Sequence, residues 1–132
     1  GGPRGSMILP LAMDWHLLIG DDSALPAVTR RLEELPAGVR VDAVLLVGAA
    51  DRRAFATRAD ARIHWVDSDD ALLQVLKDLP LQAGAGLAWG GGEAALMARV
   101  RQVLVETGMP RQAAKVSAYW KRGVADHHER LD

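Results

Sequence analysis

Short apolar runs that alternate with amphipathic stretches leave this chain few ways to fold. Trp15-His16-Leu17-Leu18-Ile19 is a compact apolar run closed by Gly20. Leu25, Val28, Leu32 and Leu35 follow at helical spacing, opposite Arg30, Arg31, Glu33 and Glu34, until Pro36-Ala37-Gly38 stops the pattern. Val41 to Val47, Ile63 to Val66, Gly86 to Trp89 and Val116 to Trp120 are four further strand-like runs. Leu72, Leu73, Leu76 and Leu79 make a second helical stripe, ended by Pro80. Leu96, Met97, Val100, Val103 and Leu104 make a third, ended by Gly108-Met109-Pro110. Residues 51–60 are polar and arginine-rich, and read as a short helix or an irregular crossover. Strands alternating with helices predict an α/β fold, an open, mostly parallel five-stranded sheet with helices on both faces. The nearly continuous apolar character of the strands is that of buried parallel strands.

The chain has 132 residues, enough for one domain. Residues 1–13 read as an interdomain linker, 14–123 as the domain, and 124–132 as a solvated tail. Gly1 to Ser6 cannot bury anything, and a proline breaks the apolar stretch Met7 to Leu11. Sixteen basic against seventeen acidic residues remove the broad electrostatic case for nucleic acid. No apolar run approaches the ~18 residues of a membrane span, and no secretory signal pattern is visible. The absence of cysteine excludes disulfides, thiolate zinc sites, cysteine-ligated iron–sulfur clusters and cysteine nucleophiles, and fits a cytoplasmic location. His127 and His128 are adjacent in the tail, without a third ligand to make a metal site.

In an open parallel sheet, ligands bind beyond the carboxyl ends of the strands, where strand order reverses. After the first run stand Gly20, Asp21, Asp22, Ser23 and Ala24, then Leu25-Pro26. Gly20 permits a sharp turn, Ser23 is placed to cap a helix, and a helix N-terminus presents amide donors to a phosphate. Two aspartates oppose an anion there, and neither a G-x-G-x-x-G nor a P-loop pattern is present. The turn reads equally as a binding site or as plain punctuation. Gly90-Gly91-Gly92-Glu93 reads as an abrupt exit from the fourth strand, open to close approach by a ligand or another backbone. Its alternative is a connecting loop with Glu93 at the positive end of a helix. Tyr119-Trp120-Lys121-Arg122 puts two aromatics beside two cations, suited to a flat ring and an anion, or to edge packing. His16 and His64 read as core-edge residues with satisfied nitrogens, and Trp15, Trp65 and Trp89 as packing. No catalytic triad or carboxylate pair stands out, so no catalytic residue is assigned.

Residues 15–27, the helix end Arg30 to Pro36, Trp89 to Glu93, and Tyr119 to Gly123 together resemble the siderophore-interacting proteins. These are flavin-dependent ferric-siderophore reductases of the ferredoxin-reductase-like superfamily. Gly2 to Ser6 resembles the end of that family's flavin-binding barrel, which favours a natural linker over a tag scar ending before Met7. The resemblance implies a carboxyl-terminal nucleotide-binding domain, with FAD held only by an upstream domain of the same polypeptide. It implies that NADH or NADPH passes hydride to FAD, which reduces Fe(III) in a siderophore. Gly20, Asp21, Asp22, Ser23 and Ala24 would approach the dinucleotide phosphates, and Gly91, Gly92 and Glu93 would flank the nicotinamide. Tyr119 and Trp120 would lie at the flavin contact, and Lys121 and Arg122 would attract the ferric siderophore.

The loop after the third strand, Asp67-Ser68-Asp69-Asp70, departs from the hydroxyl and cation that NADPH-using relatives usually offer there. Its carboxylates favour NADH, unless Arg52, Arg53 or Arg58 reaches across. The competing readings are a stand-alone, non-catalytic binding module and a flavodoxin-like phosphate-signalling domain. The latter lacks a strand-end aspartate and lysine pair.

Overall fold

The computed structural model describes residues 13–80 and 82–124, so the leading residues 1–12 and the tail residues 125–132, including His127 and His128, lie outside the described residues. Among the described residues the strands are β1 (Trp15–Asp21), β2 (Arg40–Leu46), β3 (Asp60–Val66), β4 (Gly86–Glu93) and β5 (Ala114–Trp120). The α-helices are α1 (Leu25–Glu34), α2 (Asp69–Asp78) and α3 (Ala94–Glu106). The five strands form one sheet in the order β3-β2-β1-β4-β5. Every neighbouring pair is parallel.

Strand alternation divides the apolar side chains between two layers. Leu17, Ile19 and Val44 face α2 and α3, packing with Leu72, Leu76, Leu96 and Val100. Leu18, Val41, Ala43, Leu45 and Leu87 face the other way, onto Val28 and Leu32 of α1. Each fully buried leucine or valine contributes roughly 1.5–3 kcal/mol relative to exposure, so both layers drive assembly of the sheet. The helices start where their local chemistry allows. Pro26 lies in the first turn of α1, where no amide donor is lost. The Ser68 hydroxyl accepts from the Ala71 amide at the start of α2.

The expectation of a parallel sheet covered on both faces holds, with local corrections. The crossover from β2 to β3 contains no α-helix, only a 3-10 turn over Ala49–Asp51 and then irregular chain. Phe55 from this segment stacks on Trp65, with ring centroids 5.9 Å apart. An aromatic lid therefore covers the part of the sheet where a helix would otherwise sit. The fourth strand does not end at Trp89. Gly90, Gly91, Gly92 and Glu93 all belong to β4, because β5 pairs with them across a bulge between Gly92 and Glu93.

His64 meets its expectation, with Nε2 lying 3.0 Å from Asp42 Oδ1. His16 does not. It is 1% exposed, and neither ring nitrogen has a hydrogen-bond partner. Alternation places it beside Leu18 in the α1 layer, whose apolar side chains offer it no donor or acceptor. Burial holds its pKa below the ordinary 6.5. The unfolded chain therefore takes up a proton near pH 6.5 that the folded chain refuses, and folding stability falls as pH drops below that value. Chemical denaturation between pH 7 and pH 5 should show this loss, and His16→Leu should flatten it.

Candidate functional site

Strand order reverses between β1 and β4, so the crevice of the fold lies at the carboxyl ends of these two neighbours. Asp21 ends β1 and Glu93 ends β4, and both are buried, at 4% and 3% exposure. Burial of two carboxylates so close together requires donors for each of them. Asp21 Oδ2 accepts from the Glu93 amide at 3.0 Å and from the Trp120 indole Nε1 at 2.9 Å. Its Oδ1 accepts from the Ser23 amide at 3.0 Å and from the Ser23 hydroxyl. One side chain thus joins the ends of β1, β4 and β5 to the turn that leads into α1.

Glu93 is built in the same way. Its Oε1 accepts from the Leu96 amide at 2.9 Å, capping α3, and its Oε2 accepts from the Arg122 amide at 3.2 Å. Burial works against its charge, but the amides of Leu96, Arg122 and Ala95 and the charge of Arg122 outweigh it. The carboxyl is held below its ordinary pKa.

The glycines make room for these contacts. A Cβ at Gly92 would stand 2.8 Å from Asp21 Oδ2, and one at Gly91 would stand 2.8 Å from the Tyr119 ring. At Gly20 it would meet the Ala24 Cβ at 3.0 Å and the Gly91 carbonyl oxygen at 3.3 Å. The close approach expected at Gly91 and Gly92 is therefore made by the chain's own side chains. Ser23 does not cap α1 itself. Asp21 caps the 3-10 turn Asp22–Ala24 that leads into α1, and Ser23 is held by that cap. Asp22 and Ser23 are exposed, whereas Gly20 and Ala24 are buried.

Tyr119 and Trp120 diverge from the sheet on opposite sides. Trp120 turns its indole N–H to Asp21, and the Arg122 guanidinium lies 5.6 Å from its ring centroid. Lys121 and Arg122 are exposed beside it. Tyr119 lies edge-on to Trp89 in the α1 layer, with centroids 6.2 Å apart. Arg31 covers the Trp89 ring at 4.0 Å and is 8% exposed. It therefore does not share the solvent face of α1 with Arg30. Its position three residues after Val28 and four before Leu35 is the sequence signal for that burial.

At the ends of β2 and β3, Arg52 and Asp67 meet. Arg52 Nη2 lies 2.6 Å from Asp67 Oδ1, and its Nε donates to the Val47 carbonyl at 2.9 Å. Asp70 faces Arg99 at 3.5 Å, and Ser68 caps α2. Between this corner and the start of α1 lies an open cleft of about 430 Å³, lined by Asp22, Leu25, Pro26, Thr29, Asp51 and Arg53. Among the described residues, no group of three or more histidine or carboxylate side chains could hold a metal ion. Nor is any helix there long and apolar enough to cross a membrane.

Asp21→Asn replaces one acceptor oxygen with a donor and leaves buried N–H groups facing it. It should cost about 2 kcal/mol of stability, read as a lowered denaturation midpoint with an unchanged slope. Glu93 carries a matching sign. Its folded pKa is depressed, so the stability it adds is present above the ordinary carboxylate range and is lost in acid as the pH falls through the folded value. Glu93→Gln should weaken that acid dependence.

The family model described as siderophore-interacting protein matches residues 13–123. Among curated relatives, the chain is 30% identical to the ferric vibriobactin reductase of Vibrio cholerae, covering 98% of this chain and 52% of that protein. It is 27% identical to the NADPH-dependent ferric-chelate reductase of Escherichia coli, covering 90% of this chain and 49% of that one. The solved structure of the siderophore-interacting protein SipS from Aeromonas hydrophila superposes with a TM-score of 0.82 at 26% identity. That match covers 96% of this chain and 54% of the other. The chain thus spans about half the length of the curated relatives it matches. Across nearly all of its described length, it belongs to the siderophore-interacting protein family.

Proposed function

We propose that this chain is the nicotinamide-nucleotide-binding half of a flavin-dependent ferric-siderophore reductase. The observation that carries this reading is the β1/β4 switch point. There both strand-end carboxylates are turned inward and satisfied, so neither presents charge to a ligand above them. Of the two aspartates in the acidic turn after β1, Asp21 is thereby withdrawn from an anionic dinucleotide, and Asp22 stays exposed at the cleft. The cleft at the start of α1 is large enough for part of a nucleotide. Arg53 supplies positive charge at its far side, and Asp22 of the 3-10 turn forms part of its near wall.

In this reading the dinucleotide runs from the β2/β3 corner, past Gly20 to Ala24, to Gly91, Gly92 and Glu93. When bound, the nucleotide would supply a hydride's two electrons, and a flavin held by another part of the polypeptide would allow them to pass one at a time to Fe(III). The residues of this chain bind and orient. Glu93 and Asp21 keep the ends of β4, β5 and α3 in register beneath the nicotinamide. Trp120 is locked by Asp21 and carries Arg122 on its ring, so that Arg122 and Lys121 face outward as cations toward an anionic ferric siderophore. Tyr119 lies on the α1 side, where it covers Gly91. A reaction drawing on the intracellular nicotinamide pool would run in the cytoplasm.

Titrating the 132-residue chain with NADH and with NADPH, followed by amide NMR shifts, tests the reading. Shifts should cluster at Asp22–Leu25, Asp51–Arg53 and Gly91–Glu93. Shifts at the amino ends of the strands, around Trp15 and Met109, would overturn it, as would the absence of any shift with either nucleotide.

A further inference from the structure

We infer that Arg52 reads the 2′-phosphate of NADPH, with Asp67 as an internal counter-ion that the phosphate displaces. The inference rests on the nucleotide-binding reading above and reverses the preference for NADH expected from the loop Asp67 to Asp70.

The geometry separates a fixed cation from a movable anion. The Arg52 guanidinium is anchored by the backbone, its Nε donating to the Val47 carbonyl at 2.9 Å and its Nη2 to the Val66 carbonyl at 3.4 Å. Val66 ends β3 and Val47 directly follows β2, so the position of the cation is set by the sheet edge. Its side chain is 28% exposed, whereas that of Asp67 is 89% exposed. The carboxylate can swing into water at little cost, because an exposed ion pair is weak and screened. The guanidinium cannot follow without giving up two backbone acceptors.

The charge of the surroundings agrees. The loop after β3 carries three carboxylates, which as isolated charges would repel a phosphate. Two of them are already faced by cations, Asp67 by Arg52 and Asp70 by Arg99. Asp69 lies in the first turn of α2, where the helix dipole favours its charge. When a phosphate replaces Asp67 on Arg52, it brings more charge and more acceptor oxygens than the one carboxylate oxygen it displaces. An arginine at the ribose end of the dinucleotide is the usual way a fold of this class accommodates the 2′-phosphate. Here the arginine comes from the β2–β3 crossover, directly after the 3-10 turn Ala49–Asp51, in a segment that no α-helix occupies.

The pair also predicts the direction of two opposite variants. Arg52→Gln should weaken NADPH binding to the chain by about tenfold or more, the usual loss for a hydrogen bond to a charged group, while NADH binding changes less than about twofold. Asp67→Asn removes only the counter-ion, on an exposed side chain, and should tighten NADPH binding about twofold to fivefold with NADH nearly unchanged. Raising the salt concentration should weaken NADPH binding more than NADH binding in the parent chain, and this difference should vanish in Arg52→Gln. Thermal unfolding of both variants checks that each is folded. Tighter NADH than NADPH binding in the parent chain would overturn the inference while leaving the nucleotide site intact. So would an Asp67→Asn variant whose NADPH affinity is unchanged or reduced. A chain that binds neither nucleotide overturns the underlying reading itself.

Discussion

The carboxylate of Asp21 is the point on which the upper end of this fold depends. A parallel sheet with the order β3-β2-β1-β4-β5 must leave a crevice between β1 and β4, because the connections after these two strands depart in opposite directions. Without an internal tie, the carboxyl ends of β1, β4 and β5 would be held together there only by backbone ladders. Asp21 supplies the tie with four donors on one buried carboxylate, and Glu93 repeats the device one strand away. Amides and an indole N–H replace the water these two groups lost, and for Glu93 they hold the carboxyl below its ordinary pKa. The glycines of β4 follow from this arrangement, since a side chain at Gly92 would occupy the space of the Asp21 carboxylate.

This arrangement takes two of the carboxylates that make the site look acidic in sequence out of the crevice. Charges that point inward and are saturated with donors no longer set the potential of the crevice. Outward at the strand ends stand arginines, each placed by a different device, together with the exposed carboxylates of Asp22 and Asp67. Arg52 is held by the carbonyls of Val47 and Val66, and Arg122 by an aromatic ring that Asp21 locks in place. Strand-end geometry and side-chain charge therefore act together.

Much of the fold was legible because hydrophobic periodicity reports burial directly. The five strands and the three helical stripes were readable from apolar spacing, and the two-layer arrangement followed from their alternation. The exit after Trp89 was misread because glycine carries no side chain to show a period, so strand and loop look alike there. The β2–β3 crossover stayed open between helix and irregular chain because its stabilising contact, Phe55 on Trp65, is made across the sheet face. Arg31 and His16 were misjudged for a related reason. A charged or titratable residue at the border of an apolar stripe is buried or exposed according to what packs beside it, and local sequence does not name that neighbour.

The sequence by itself determined the α/β class, the strand and helix segments, and the residue types gathered at the strand ends, because these depend on spacing along a few turns or pleats. Only the tertiary structure decided which groups pair. Asp21 with the Glu93 amide joins positions 72 residues apart, and Asp21 with Trp120 joins positions 99 apart. Arg52 meets Asp67 across two strand ends. The physical reason is that charge compensation acts over a few ångströms of space. It is therefore set by strand order and register, which bring those residues together only after the sheet has formed.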